Sequence, residues 1–143
     1  MQGQGQTVPA PIVGRMLVDT GATATRISEE AALELGLPQV DVRETVGVHG
    51  KQRTPVYLAS FGLGIADASG NQTFIIRDSA VAAAKGLEAM FAKMGVKTGG
   101  KDGGRLIGLL GRDFLRHATF VYRGGKGEIE IIIDPSRMQK ANV

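Results

Sequence analysis

Asp19 stands at the end of an apolar run, Met16-Leu17-Val18, and is followed by Thr20, Gly21 and Ala22. A strand of this kind delivers a carboxylate into a turn, with a hydroxyl beside it and a Gly that lets other backbone come close. A carboxylate so placed can serve as a general acid or base. The same triplet also makes an ordinary turn, so by itself it leaves both readings open. About 90 residues downstream, Leu106-Ile107-Gly108-Leu109-Leu110-Gly111 forms an apolar run with two Gly residues and leads into Arg112-Asp113-Phe114-Leu115. Between these stretches lies Val46-Gly47-Val48-His49-Gly50, followed by Thr54-Pro55-Val56-Tyr57.

In this order the three stretches resemble the retropepsins, the family of retroviral aspartic proteases and their bacterial relatives, and the chain reads as a bacterial-type member. In that family a later stretch of two apolar residues and a Gly crosses the triplet strand and enters a short helix. Leu109-Leu110-Gly111 with Arg112 onward matches it, and Leu106-Ile107-Gly108 is a second register. Residues 46–50 resemble the Gly-rich flap hairpin, and the resemblance runs over about residues 12–133. It implies a mostly β fold, a closed retropepsin-like barrel or sandwich of hairpins with two or three short helices. It implies catalytic roles for Asp19, Thr20 and Gly21, substrate contacts from Ala22, Gly47, Val48, His49 and Gly50, and structural support of the site from Leu109, Leu110, Gly111 and Arg112. Two departures stand out. Retroviral members pair the helix Arg with an acidic residue two places after the triplet Gly, where this chain has Thr23, so Arg112 is left to backbone carbonyls or Asp113. Residues 79–104 read as a helical and Gly-rich insertion.

Peptide hydrolysis without metal or covalent intermediate needs one group to activate water and another to donate a proton. Two close carboxylates sharing one proton supply both, as aspartic protease dyads do in general. This chain offers one suitable Asp, so the second must be Asp19 of a symmetry mate in a homodimer. By the resemblance, the Thr20 hydroxyl locks the two loops together, Gly21 presents its backbone to substrate, and residues 47–50 close over an extended peptide. Pepsin-like members often carry Ser or Thr where Ala22 stands. Loss of that hydroxyl predicts a pH optimum nearer about 5 to 6 than 2 to 3. No cofactor is expected. The alternative is a catalytically silent retropepsin fold that serves as a dimerisation or peptide-binding module; the intact triplet favours the enzyme.

The bulk composition agrees with one domain. A chain of 143 residues with 43% hydrophobic content furnishes one core, assigned to 8–135, with tails at 1–7 and 136–143. Twenty-one Gly residues argue against a helical bundle. The absence of Cys excludes disulfides, thiolate zinc sites and cysteine nucleophiles. Neither His has a partner at metal-ligand spacing, so no metal is expected. The charge of +3 is scattered and not interleaved with aromatics, which argues against nucleic acid. No apolar run approaches the roughly 18 residues of a spanning helix, and residues 1–7 lack signal-peptide character.

Local patterns predict the elements that position the site. A strand over 12–18 precedes the triplet. A helix over 30–35 follows, capped by Ser28, with Glu29 and Glu30 in its first turn and Gly36 then Pro38 beyond it. Strands over 40–48, 54–63 and 72–77 are separated by turns at 49–51 and 68–71. Residues 79–94 have helical composition, and Gly95 can close that helix. A Gly-rich loop over 97–104 leads to an apolar strand over 105–110, a short helix over 111–116, and a hairpin of 118–122 with 127–133. His49, taken as a residue in a turn, reads as solvated, against the substrate contact that the resemblance implies; outside the site, His117 reads as supporting the last turn of its helix or meeting solvent, Asp113 as a helix or loop organiser, and Asp67, Asp78 and Asp102 as turn or surface residues. The apolar face of 80–94 reads as core, or as a partner seat if Leu87, Met90 and Phe91 are exposed.

Overall fold

The computed structural model describes residues 8–47, 50–95, 105–134 and 136. Among the described residues, eight strands and three short helices follow one another. The first helix, α1 (Glu29–Glu34), forms where the capping residues dictate. Ser28 has extended backbone and its Oγ accepts from the Ala31 N–H at 3.1 Å, satisfying one of the helix's orphan donors. Gly36 ends the segment with φ +60, a conformation that costs a Gly little.

Six strands make one sheet: β1 (Arg15–Val18), β2 (Arg26–Ser28), β3 (Gln39–Gly47), β4 (Gly50–Ala66), β5 (Gln72–Ala84) and β6 (Leu106–Leu110). Their spatial order is β1-β6-β2-β5-β4-β3, and the sheet curls into a half-barrel. β1 runs parallel to β6, β2 parallel to β5, and the remaining pairings are antiparallel. A separate hairpin joins β7 (Ala118–Arg123) to β8 (Glu128–Ile133). The long β4 pairs with β3 through its first half and with β5 through its second, overlapping only at Val56 and Tyr57. Those two residues are buried, at 0% and 5% exposure.

Among the described residues the core has two clusters. Ile27, Ala31, Ala32, Tyr57, Ala59, Val81 and Ala83 join the centre of the sheet to α1. The second cluster ties α2 (Leu87–Lys93) to β6 through Leu87, Phe91, Leu106 and Leu109. Leu87 and Phe91 are one turn apart and buried, worth about 2 kcal/mol each. The face of α2 is therefore core; of the three candidate seat residues only Met90 is exposed.

One expected element differs. Residues 79–84 are strand, not helix: they form the end of β5, paired with β4 on one side and with β2 on the other. Helix begins only at Leu87, after Gly86 at φ +67. What departs from the run of strands thus starts at Lys85. The tails at 1–7 and 137–143 and the Gly-rich loop, with Asp102, lie outside the described residues. Among the described residues no helix is long and apolar enough to cross a membrane.

Candidate active site

β1 is an edge strand, and it hands Asp19 to a tight turn. Val18 pairs with Leu110 of β6, and the Asp19 N–H donates to the Leu110 carbonyl at 3.0 Å. Asp19 Oδ1 accepts from the N–H groups of Gly21, at 2.9 Å, and Ala22, at 3.2 Å. The carboxylate is thereby oriented by its own loop. A Cβ on Gly21 would lie 3.1 Å from Asp19 Oδ1, so a side chain there crowds the carboxylate. Asp19 is half-buried, whereas Thr20 and Gly21 are exposed.

The loop is clamped from behind by α3 (Arg112–Leu115). Its first N–H groups have no partner within the helix. Arg112 N–H donates to the Ala22 carbonyl at 2.9 Å, and Asp113 N–H to the Thr23 carbonyl at 3.2 Å. Asp113 Oδ1 accepts from Thr25 N–H at 2.8 Å, Thr25 Oγ1 at 2.7 Å and Phe114 N–H at 2.8 Å. Thr25 Oγ1 in turn accepts from Gly111 N–H at 3.1 Å. Gly111 itself is a close-approach position: a Cβ would stand 2.4 Å from the Ala24 carbonyl carbon. Of the two sequence registers, Leu109-Leu110-Gly111 is the one beside Asp19; Gly108 packs instead against the Arg26 carbonyl oxygen.

Each predicted site residue has a place in this arrangement or outside it. Asp19, Thr20, Gly21 and Ala22 form the loop, and Leu109, Leu110, Gly111 and Arg112 lie behind it. The Ala22 side chain packs against the cluster of Leu87, Phe91, Leu106 and Leu109. Arg112 supports the loop through its main chain; its guanidinium is exposed and bonds neither carbonyl nor Asp113 among the described residues. Gly47 and Gly50 pair at the tip of the β3–β4 hairpin, Gly50 with φ +93, away from the loop in sequence; Val48 and His49 lie outside the described residues. The sequence motifs do not single out Thr25, which is buried at 8% exposure and holds the most connected hydroxyl of the site. Its partner Asp113 is 88 residues away, so no local pattern marks the pair.

Asp67 and His117 engage neighbours in their own turns. Asp67 Oδ1 accepts from Ser69 and Asn71 N–H at 2.9 Å each, and these backbone bonds, that of Asn71 foremost, hold the carboxyl below its ordinary value. His117 follows α3 and its cap Arg116, its Nε2 accepting from Arg116 Nε at 3.1 Å. Burial, with the charges of Arg116 and Arg77, pushes the His117 ring below its ordinary value, partly opposed by Asp113. Among the described residues no group of three or more His, Asp or Glu is placed to hold a metal ion.

Residues 5–114 match the family model described as aspartyl protease. The match spans well over half of the chain, and its start and end enclose both the Asp19 loop and the clamp behind it. The chain belongs to the aspartyl protease family, of the retropepsin type. Searches of curated proteins and of solved structures returned no match.

Proposed function

We propose that this chain is an aspartic endopeptidase that works as a homodimer, with Asp19 of each subunit forming the catalytic pair. The observation that carries the reading is the Asp19 loop itself. One carboxylate oxygen is held by the Gly21 and Ala22 N–H groups, at the end of an edge strand where a second copy can approach. Oδ2 has no hydrogen bond among the described residues and is left for a proton, a water or the partner carboxylate. Two such groups about 3 Å apart share a proton, so one activates the attacking water while the other protonates the carbonyl or the leaving nitrogen. In this reading the exposed Thr20 bonds across the axis, and the β3–β4 hairpin, with Gly47 and Gly50, covers an extended peptide by main-chain hydrogen bonds. In this reading Val48 and His49 contact the substrate from the hairpin tip, and Leu109, Leu110, Gly111 and Arg112 keep the loop in register.

The test compares the wild-type chain with Asp19→Asn for cleavage of an unfolded protein between about pH 3 and pH 8, with and without a tetrahedral-intermediate mimic. Cleavage by the wild type alone, blocked by the mimic, is the expected result. Sedimentation of the same samples reads the assembly. Cleavage by Asp19→Asn, or full activity in a strict monomer, refutes the proposal.

A further inference from the structure

Strand alternation puts Tyr57, Ala59, Phe61 and Leu63 of β4 on the inner face of the sheet, opposite Val81, Ser79, Arg77 and Ile75 of β5. Arg77 is the exception in this row. It is a cation at an inward position, directly across from Phe61 and flanked on its own strand by Ile75 and Ser79. It is half-buried, and its guanidinium makes no ion pair or hydrogen bond among the described residues. An apolar wall interrupted by an unpaired charge is costly unless something answers that charge.

The wall belongs to a cavity of about 920 Å³ inside the half-barrel. Ile12, Val18, Ile27, Leu63, Ile107 and Phe114 are among the residues that line it, and Arg77 lines it with them. Asp19, Thr20 and Gly21 do not, whereas Val18, Leu110, Thr25 and Asp113 do, so the cavity lies behind the catalytic loop and borders its clamp. Its size falls within the roughly 300 to 1,000 Å³ of small-molecule sites, which likewise are mostly apolar with a few placed polar groups. Asp113 also lines it, but its Oδ1 is already engaged by Thr25 and Phe114. Arg77 and Asp113 are the two charged residues of the lining, and they form no ion pair with each other among the described residues.

We propose that the cavity binds a long-chain fatty carboxylate, with the carboxylate on Arg77 and the alkyl chain against the apolar walls. The two features demand each other: the tail removes apolar surface from water, and the head supplies the anion that Arg77 lacks. The assignment does not depend on proteolysis.

Calorimetric titration of the full chain tests it, with laurate below its micelle-forming concentration as the probe. Dodecanol and dodecyltrimethylammonium are matched in length and differ in charge. Laurate is expected to bind one per chain, with dodecanol weaker by about ten-fold or more and the cation not bound. Arg77→Met should weaken laurate by about ten-fold while moving dodecanol less than about two-fold, and Arg77→Lys should recover part of the loss. Leu63→Trp narrows the cavity without touching the charge and should abolish both laurate and dodecanol binding. Circular dichroism confirms that each variant is folded, and Asp19→Asn should bind laurate as the wild type does. No laurate binding, equal binding of the alcohol, or an Arg77→Met chain that binds laurate normally overturns the assignment. So does laurate binding confined to the monomer, which would mean that a second copy fills the cavity.

Discussion

Thr25→Val removes one hydroxyl and nearly nothing else, because Val has almost the same shape. In the folded chain that hydroxyl donates to Asp113 at 2.7 Å and accepts from Gly111 N–H at 3.1 Å. The substitution therefore cancels one bond to a carboxylate, worth about 1.5 to 3 kcal/mol, and leaves the Gly111 N–H without an acceptor, at about 1 to 3 kcal/mol. Asp113 keeps its bonds from Thr25 N–H and Phe114 N–H, and Val is the more apolar side chain in a buried place, so part of the loss is offset. The net expectation is about 2 to 3 kcal/mol, or roughly 6 to 9 °C in Tm for a chain of this length. Urea unfolding of wild type, Thr25→Val, Asp113→Ala and the double variant provides the assay. Asp113→Ala should cost more than Thr25→Val, since it also strips the acceptor from Thr25 N–H. The double variant should cost less than the sum by about 1 to 2 kcal/mol. Strict additivity, or a Thr25→Val chain as stable as the wild type, would show that the bonds behind the Asp19 loop are not what holds it.

Four further outcomes are expected. Gly111→Ala forces a methyl group against the Ala24 carbonyl, and because the obstacle is backbone it should cost about 3 kcal/mol or more and yield little folded protein; normal expression and Tm would refute the close packing. Arg105→Ala, which breaks the pairs with Glu34 and Glu88, should cost less than about 1 kcal/mol because the three groups are 35% to 56% exposed, as urea unfolding will show. The His117 ring is held below its ordinary value of 6.5 mainly by burial, so its contribution is fully present above that pH and is lost as pH falls through the lower folded value; stability measured from about pH 7.5 to pH 5 should decline less in His117→Asn than in the wild type. Proteolysis should peak nearer about pH 5 to 6 than pH 2 to 3, given Ala22 in place of a hydroxyl residue, and a maximum below about pH 3.5 in a pH–rate profile contradicts that.

Local signals made much of this fold legible. The Ser28 cap, the φ +60 Gly36, the hairpin ends and the apolar strand before Asp19 all depend on neighbours within a few residues, and the chain obeys them. Residues 79–84 mislead because Ala is the strongest helix former, yet the segment Ser-Ala-Val-Ala-Ala-Ala pairs with β4 over 79–82 and with β2 over 82–84. There the sheet's hydrogen bonds outweigh propensity, and small side chains suit the tight space under α1. The site divides in the same way. Asp19, Thr20 and Gly21 carry a motif, and so does Gly111. Thr25 and Asp113 act only as a pair across the fold, and Arg112, marked by its charge, contributes through its N–H.

The division of β4 between two partners has a mechanical consequence. About 55 Å of continuous chain is gripped on both flanks only from Val56 to Leu58, whose N–H donates to the Pro38 carbonyl, while each half beyond is one rail of a two-stranded ribbon. Such a beam is pinned at its waist. Amide hydrogen exchange will be slowest at that waist and quicken toward Gly50 and Ala66, and either end can bend without unseating the other.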